Sequence, residues 1–291
     1  MEFLNAVCDY INETATHVSV SVHQTLKNNG VRLSGLSFSK AGYNAAPTIY
    51  MENYYEEYTL GEDVKSIGDR ILALYNENDL SVNFDMSFFD DFDRIRDKLY
   101  IKLINKEKNT EFLKEAPYEE FLDLAVTAYV RIKDKKIGNG LIMVKNEHLK
   151  LWGVTAREVL DIAKKNTHDL DGYDIKHILD VLQEIHGLPQ GPADPFEFPM
   201  YVATNDRMTN GAAVLTMNDK LKEYAKVIGG DYYVIPSSVH ELILVARDAG
   251  TDRTCDIDNL IREVNATTLG PDDVLSDHAY LYSSKDEVLI F

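Results

Sequence analysis

Ser238, His240 and Glu241 have the residue types best suited to acid/base or nucleophilic chemistry in this sequence. They fall in Pro236–Glu241, between two predicted strands, and loops at strand ends often carry catalytic groups. In an extended segment His240 and Glu241 point to opposite faces. Ser238 then lies roughly 6.5 to 7 Å from His240, beyond hydrogen-bond reach. Local structural hydrogen bonding is therefore the favoured interpretation, and catalysis is the alternative.

Asp277 and His278 offer a second acid/base pair near the end of the sequence. If the fold brings them close to His240, the combined residues would form the site of a hydrolase or transferase at one end of a C-terminal sheet. Here too, local hydrogen bonding is the favoured interpretation. The sequence leaves open whether His240 and His278 are close in space.

Several common catalytic motifs are missing. The sequence has no G-x-x-x-x-G-K-[ST] phosphate loop, no G-x-G-x-x-G and no G-x-S-x-G. A zincin needs a second histidine four residues after His240, and that position is Leu244. Cys8 and Cys255 are far apart, and the histidines do not pair at ligand spacing. We therefore predict no cofactor and no metal, and we lean against an enzyme.

The charge balance is strongly acidic, with 30 Lys and Arg against 48 Asp and Glu, a formal net charge of −18 and a sequence pI near 4.8. Such a surface repels phosphate backbones, so we expect no direct nucleic-acid binding. The acidic residues are spread over many segments, which is typical of a solvated surface. An antagonist that imitates nucleic acid is a further alternative. No signal peptide or apolar span is evident, so we expect a cytoplasmic protein away from membranes.

Aromatic residues cluster with acidic ones at Tyr54, Tyr55 and Tyr58, and again near Phe88. Aromatic side chains are enriched in protein interfaces. Together with the missing catalytic motifs, these clusters make a non-enzymatic binding or regulatory module our leading hypothesis. It predicts a protein partner that contacts Tyr54, Tyr55 and Tyr58.

The elements that would position these residues follow from hydrophobic periodicity and turn residues. Helices are predicted near 3–15, 64–74, 88–99, 155–163, 221–228 and 256–264. Strands are predicted near 18–22, 31–38, 47–51, 124–132, 141–144, 200–204, 212–217, 231–235, 242–245, 279–282 and 288–291. This order predicts an α/β protein of the α+β kind, with mixed sheets of hairpins and strands packed by helices.

A segment rich in glycine and proline divides the predicted elements into two groups. Such composition is typical of a linker or an inter-lobe loop. We therefore predict an N-terminal α/β lobe over residues 1–186, an inter-lobe loop over 187–199 and a C-terminal α/β lobe over 200–291.

Four segments together resemble a bacterial family of unknown function, DUF5688. They are Lys27–Val31, Pro47–Tyr50, Pro236–Glu241 and Pro271–His278, and the resemblance runs over nearly the whole chain. The family is typical of anaerobic, Gram-positive gut bacteria, and its C-terminal half is distantly similar to the uncharacterised YtpQ-like proteins. The resemblance implies a bacterial cytoplasmic setting, mobile or prophage-like DNA as a source, and a single family unit. It implies no reaction and no catalytic residue.

Overall fold

A computed structural model describes residues 1–78, 83, 85–134, 138–186, 199–236, 238–247 and 254–291. These residues form helices and three antiparallel sheets, so the predicted α+β fold class is confirmed. In the described part of the chain, no helix is long and apolar enough to cross a membrane.

The helices differ widely in length. They are α1 (Glu2–Thr14), α2 (Glu52–Thr59), α3 (Val64–Asn78), α4 (Phe92–Ile95), α5 (Thr110–Leu113), α6 (Asn146–Trp152), α7 (Ala156–Leu170), α8 (Ile178–His186), α9 (Asn218–Ile228) and α10 (Thr254–Thr267). Short 3₁₀ turns span Asn28–Gly30, Arg96–Lys98 and Gly211–Thr216.

The strands form sheets in the orders β1-β2-β3, β4-β6-β5 with β7 also on β6, and β13-β12-β10-β11-β9-β8. They are β1 (Ser19–Leu26), β2 (Arg32–Ser39), β3 (Thr48–Tyr50), β4 (Leu99–Asn105), β5 (Tyr118–Phe121), β6 (Leu124–Asp134), β7 (Gly138–Met143), β8 (Tyr173–His177), β9 (Met200–Asn205), β10 (Tyr232–Ile235), β11 (Leu242–Ala246), β12 (Tyr280–Ser283) and β13 (Val288–Ile290).

The chain divides into two compact units, Met1–Asp90 with Lys133–Gly140, and Asp91–Ile132 with Leu141–Phe291. The second unit groups strands from both sides of the predicted inter-lobe loop, since β8 pairs with β9. Residues 187–198 of that loop lie outside the described residues. The lobe division at 187–199 stays a prediction.

The first unit packs α1 and α3 against the sheet of β1, β2 and β3. Apolar residues of α1 such as Val7 and Ile11 are fully buried in its core together with Phe38. The hairpin turns at Asn29 and Gly30, whose φ values of 60° and 70° suit asparagine and glycine. The helix, the hairpin and the third strand were all predicted, because their periodicity and turn residues are local signals.

The second unit contains two sheets, and α7 packs against buried strand β4. Helix α7 begins with the predicted capping box. The Glu158 N–H donates to Thr155 Oγ1 at 3.2 Å, and the Thr155 N–H donates to Glu158 Oε2 at 2.8 Å. The apolar face of the helix buries Val159, Leu160 and Ala163. The spacing of these residues predicted both the start of the helix and its buried side.

Two predicted elements were wrong. The helix predicted over 88–99 is only Phe92–Ile95. The Asp91 side chain caps its N-terminus by accepting a hydrogen bond from the Asp93 N–H, and Leu99 already begins β4. The strand predicted over 212–217 is a 3₁₀ turn, Gly211–Thr216. A Cβ on Gly211 would lie 2.4 Å from the carbonyl oxygen of His240. Close packing against the chain around His240 therefore decides the local conformation here.

Candidate functional site

Pro236–Glu241 connects β10 to β11, as predicted, and runs alongside the chain that precedes β12. The Val239 N–H donates to the Asp273 carbonyl at 2.9 Å. The Ser276 N–H donates to the Pro236 carbonyl, also at 2.9 Å. Backbone pairing therefore brings two of the four segments that resemble the family side by side.

His240 is held from several sides. Its Nδ1 accepts a hydrogen bond from the Asn210 N–H at 3.3 Å, and its Nε2 lies 3.2 Å from Asp273 Oδ1. Its own backbone N–H donates to Ser238 Oγ at 3.0 Å, and Ser238 is only 2% exposed. Both ring nitrogens thus have partners within the protein, and the buried Ser238 hydroxyl accepts from the backbone. These contacts favour a structural role for this segment.

Asp277 lies in a polar cluster formed by residues distant in the sequence. Lys108 Nζ donates to Asp277 Oδ2 at 3.0 Å, and Asn265 Nδ2 donates to Asp277 Oδ1 at 2.8 Å. Burial raises the pKa of the carboxyl, but these hydrogen bonds outweigh burial, so the pKa of Asp277 lies below its usual value. Asp277 is therefore held as a carboxylate at neutral pH.

His278 has a different carboxylate partner. Its Nδ1 lies 3.5 Å from Oδ2 of Asp258, and Asp258 Oδ1 accepts a hydrogen bond from the Ala279 N–H at 2.7 Å. The His278 ring also makes an edge contact with Phe291, with centroids 5.7 Å apart. Its side chain is 45% exposed. His278 and Asp258 thus form a second histidine–carboxylate pair, at the start of β12.

The structure places His240 and His278 in separate networks. The antiparallel bridge between Ser238 and Val274 sets His240 opposite Asp272. His278 is six residues further on, which corresponds to at most roughly 20 Å of chain. Glu241 is half-buried next to the start of β11. The two predicted histidines thus each pair with a carboxylate that was not predicted, Asp273 for His240 and Asp258 for His278, and acid/base chemistry at either pair stays a prediction.

A buried network around Asp123 lies next to the second pair, and the sequence analysis missed it. Ser276 Oγ donates to Asp123 Oδ2 at 2.6 Å, and the Tyr280 hydroxyl donates to Asp123 Oδ1. Burial and the Asp123 carboxylate together raise the pKa of Tyr280. Asp123 is 153 residues from Ser276 in the sequence, so no local spacing could indicate this contact. The network ties the start of β12 to the turn before β6.

A second missed network contains the most buried of the described salt bridges. Arg131 donates to both carboxylate oxygens of Asp171, at 2.8 and 2.9 Å, and its guanidinium lies 3.5 Å from the ring centroid of Tyr100. The side chains of Arg131 and Asp171 are 12% and 2% exposed. Burial lowers the pKa of Arg131, but the hydrogen bonds that it donates to Asp171 and Tyr129 outweigh burial and raise the pKa above its usual value.

The predicted binding tyrosines lie on α2, but they do not share one environment. Tyr55 is 53% exposed and Tyr58 is 41% exposed. Their rings contact buried Phe3, at centroid distances of 5.6 and 4.7 Å. Tyr54 is half-buried, packs against the apolar core and lies 5.8 Å from the guanidinium of Arg70. We call Phe3, Tyr55 and Tyr58 the α2 aromatic surface.

A small cavity of about 160 Å³ opens beside this surface. Phe3, Tyr55 and Met51 contribute apolar lining, and Glu52 contributes a carboxylate. Glu52 Oε1 also accepts a hydrogen bond from the Ser34 N–H at 2.7 Å, which ties the start of α2 to strand β2. The exposed tyrosines are therefore mounted on a helix that is anchored to the sheet.

Metal ligation has no candidate in the described residues, where no three His, Cys, Asp or Glu side chains are grouped so as to hold an ion. Cys8 is buried with a free thiol. Burial, chiefly, raises the pKa of Cys8. The side chain of Cys255 lies outside the described residues.

Comparison with known proteins identifies the family. The model of DUF5688, described as a family of unknown function, matches residues 1–284, nearly the whole chain. No curated protein and no solved structure matches the chain. The more distant similarity to the YtpQ-like proteins stays a prediction. Because one family model covers residues 1–284 continuously, the chain belongs to the DUF5688 family of unknown function.

Proposed function

We propose that this protein is a non-enzymatic binding or regulatory module of a bacterial cytosol, and that it binds a partner protein through the α2 aromatic surface. The observation that carries the proposal is that Tyr55 and Tyr58 are exposed while their rings pack on buried Phe3. Such rings offer a large contact area with little loss of side-chain freedom on binding. Tyrosine is accordingly enriched among the residues that dominate interface energies.

The charges around this surface indicate the chemistry of the partner. Helix α2 carries Glu52, Glu56 and Glu57 and contains no lysine or arginine. Arg70, whose guanidinium lies over the Tyr54 ring, is already bound to Glu57. Exposed tyrosine faces next to carboxylates favour a cationic ligand, through cation–π contacts and charge attraction. The proposed partner therefore presents an arginine- or lysine-bearing segment.

The experiment places a photo-crosslinking amino acid at Tyr58 in cells of the organism that encodes the protein. The expected result is one crosslinked partner peptide that contains arginine or lysine. The affinity of the purified partner is then measured by calorimetry. Tyr55→Ser should weaken binding by about thirtyfold, the effect expected of an interface hot spot of about 2 kcal/mol.

Two further variants complete the design. Tyr118→Ser removes a tyrosine of similar exposure, 39%, on β5, and should leave affinity unchanged. Glu56→Lys reverses a charge on exposed helix surface without touching the core, so it reports on binding even if a tyrosine variant unfolds. Unchanged affinity in both Tyr55→Ser and Glu56→Lys would overturn the proposal, and so would a crosslinked partner segment without arginine or lysine.

The two alternative functions have weaker support. A hydrolase or transferase that combines the two histidines has less support, because His240 and His278 have different carboxylate partners, Asp273 and Asp258. A nucleic-acid mimic would need an uninterrupted acidic face, whereas ion pairs such as Lys106–Glu120 and Lys176–Glu184 place cations among the carboxylates. We therefore propose neither.

A further inference from the structure

A groove in the second compact unit lies between the face of β5 and β6, helix α7 and the start of α9. Its volume is about 480 Å³. Binding sites for small molecules typically measure roughly 300 to 1,000 Å³ and combine apolar lining with a few polar groups. The groove is therefore large enough for a small organic molecule.

One side of the groove is apolar. Val126 of β6 pairs directly with Glu119 of β5, and Phe121 follows Glu119 by two residues, so all three lie on the same face of the sheet. Met217, the residue before α9, completes this side. Phe121 is half-buried, and Val126 and Met217 are 1% and 5% exposed. The apolar body of a ligand would therefore lie against Phe121, above the buried side chains of Val126 and Met217.

The other side of the groove carries basic side chains of α7. Lys164, Lys165 and His168 all line it, and His168 follows the two lysines by four and three residues, the spacings at which side chains on a helix are neighbours. His168 Nδ1 lies 2.9 Å from Asp169 Oδ1, and its Nε2 lies 2.9 Å from Asp219 Oδ2. The hydrogen bonds with Asp169 and Asp219 raise the pKa of His168 above its usual value. Two lysines and a histidine thus meet at one groove in a chain with a net charge of −18, and Lys165 is paired there with Asp169.

The present partners of these cations are replaceable. Lys164 Nζ donates to both oxygens of Glu119, at 2.8 and 2.7 Å. Lys164 is 33% exposed, whereas Glu119 is 55% exposed and Asp219 is 60% exposed. Ion pairs this exposed are weak. A ligand carboxylate can therefore compete with Glu119 for Lys164 and with Asp219 for His168.

We propose that this groove is a binding site for a small organic acid, whose apolar body packs on Phe121 and Met217 and whose carboxylate takes the place of Glu119 on Lys164, within reach of His168. The site is independent of the α2 aromatic surface and belongs to the other compact unit. Either proposal can therefore fail without the other.

The test uses the full chain and two probe acids, 3-phenylpropionate and octanoate, with 3-phenylpropanamide as the uncharged analogue. Binding is measured by calorimetry and by ligand-observed NMR. At least one acid should bind with a Kd of about 1 mM or tighter, and 3-phenylpropanamide should bind at least ~10-fold more weakly than 3-phenylpropionate. Lys164→Met, which removes the ammonium but keeps an unbranched apolar side chain, should weaken acid binding by ~10-fold or more.

The matched control is Lys222→Met, which removes a lysine on α9 that is paired with Glu287 and is not among the groove residues. It should change affinity by less than ~2-fold. If circular dichroism shows that Lys164→Met does not fold, His168→Gln replaces it with the same expected direction. The proposal is overturned if neither acid binds at ~10 mM, if the amide binds as tightly as 3-phenylpropionate, or if the charge-removing variant binds as well as the control.

Discussion

Replacing Asp171 with asparagine tests whether the Arg131–Asp171 ion pair holds the second compact unit together. Asparagine keeps the shape of the side chain but removes its charge. The Arg131 guanidinium would then stay against the Tyr100 ring, 3.5 Å from its centroid, without its anionic partner. Arg207 Nε, 3.7 Å from Asp171 Oδ1, would lose the same partner.

The expected magnitude follows from burial. The side chains of Arg131 and Asp171 are 12% and 2% exposed, so little water can replace the lost contact. Removing one member of a buried ion pair typically costs about 3 to 5 kcal/mol, because the remaining charge stays buried and uncompensated. We therefore expect Asp171→Asn to lower the free energy of unfolding by about 3 to 5 kcal/mol.

Urea unfolding followed by tryptophan fluorescence measures this change. Trp152 is the single tryptophan of the chain, is 8% exposed and lies in the second unit, so its emission reports on that unit. With a urea dependence of about 3 kcal/mol per M, the midpoint should fall by about 1 to 1.7 M. The control is Asp169→Asn, which removes the carboxylate of an exposed pair with Lys165 and should shift the midpoint far less.

A double variant separates the loss of the pair from the loss of packing. Arg131→Met combined with Asp171→Leu replaces both charges with apolar side chains, which is often nearly neutral for buried pairs. The double variant should therefore be more stable than Asp171→Asn alone. The reasoning is refuted if Asp171→Asn shifts the midpoint no more than Asp169→Asn, or if the double variant is as unstable as the single one.

Three further predictions concern α7 and the turn beneath His240. Thr155→Ala should lower the free energy of unfolding by about 1 kcal/mol in the same urea assay, because it removes the cap of α7. The hydrogen bonds that Thr155 donates lower the pKa of Glu158. The stabilisation by these bonds is therefore present above the unfolded-state pKa of Glu158 and is lost as pH falls through the folded-state pKa. The destabilisation caused by Thr155→Ala should accordingly become smaller in acid. The folded-state pKa of His168 is raised, so the stabilisation by its ion pairs is present below the unfolded-state pKa and is lost as pH rises through the folded-state pKa. His168→Gln removes this pH-dependent stabilisation and should therefore reduce the fall in Tm between about pH 5 and about pH 8. Gly211→Ala should cost about 1 to 3 kcal/mol in thermal unfolding, since its Cβ would lie 2.4 Å from the His240 carbonyl oxygen.

Local elements could be predicted wherever their signals lie within a few residues. The helical spacing of Phe3, Val7 and Ile11, the turn at Asn29 and the capping box at Thr155 all follow from backbone preferences and hydrophobic periodicity. The prediction failed at 212–217, where a run of apolar residues resembles the sequence of a buried strand. Packing against the chain around His240 converts them into a 3₁₀ turn.

The candidate sites could be predicted only in part. The sequence identified His240 and His278 as chemically capable residues, but it paired His278 with its neighbour Asp277, whereas the structure pairs it with Asp258 on α10. It also grouped Tyr54 with Tyr55, although the two side chains lie in different environments. Adjacent residues on a helix point in directions about 100° apart, so proximity in sequence is a poor guide to a shared surface.

The sequence by itself determined the family, the fold class, the acidic charge and most local elements, because these depend on composition and on spacing within one helix or strand. Only the tertiary structure decided which polar groups meet. Arg131 binds Asp171, which is 40 residues away in the sequence, His240 contacts Asp273, which is 33 residues away, and Lys164 binds Glu119, which is 45 residues away. Such contacts depend on strand register and on which helix covers which sheet. Those arrangements are set by the packing of the whole unit, so no local spacing encodes them.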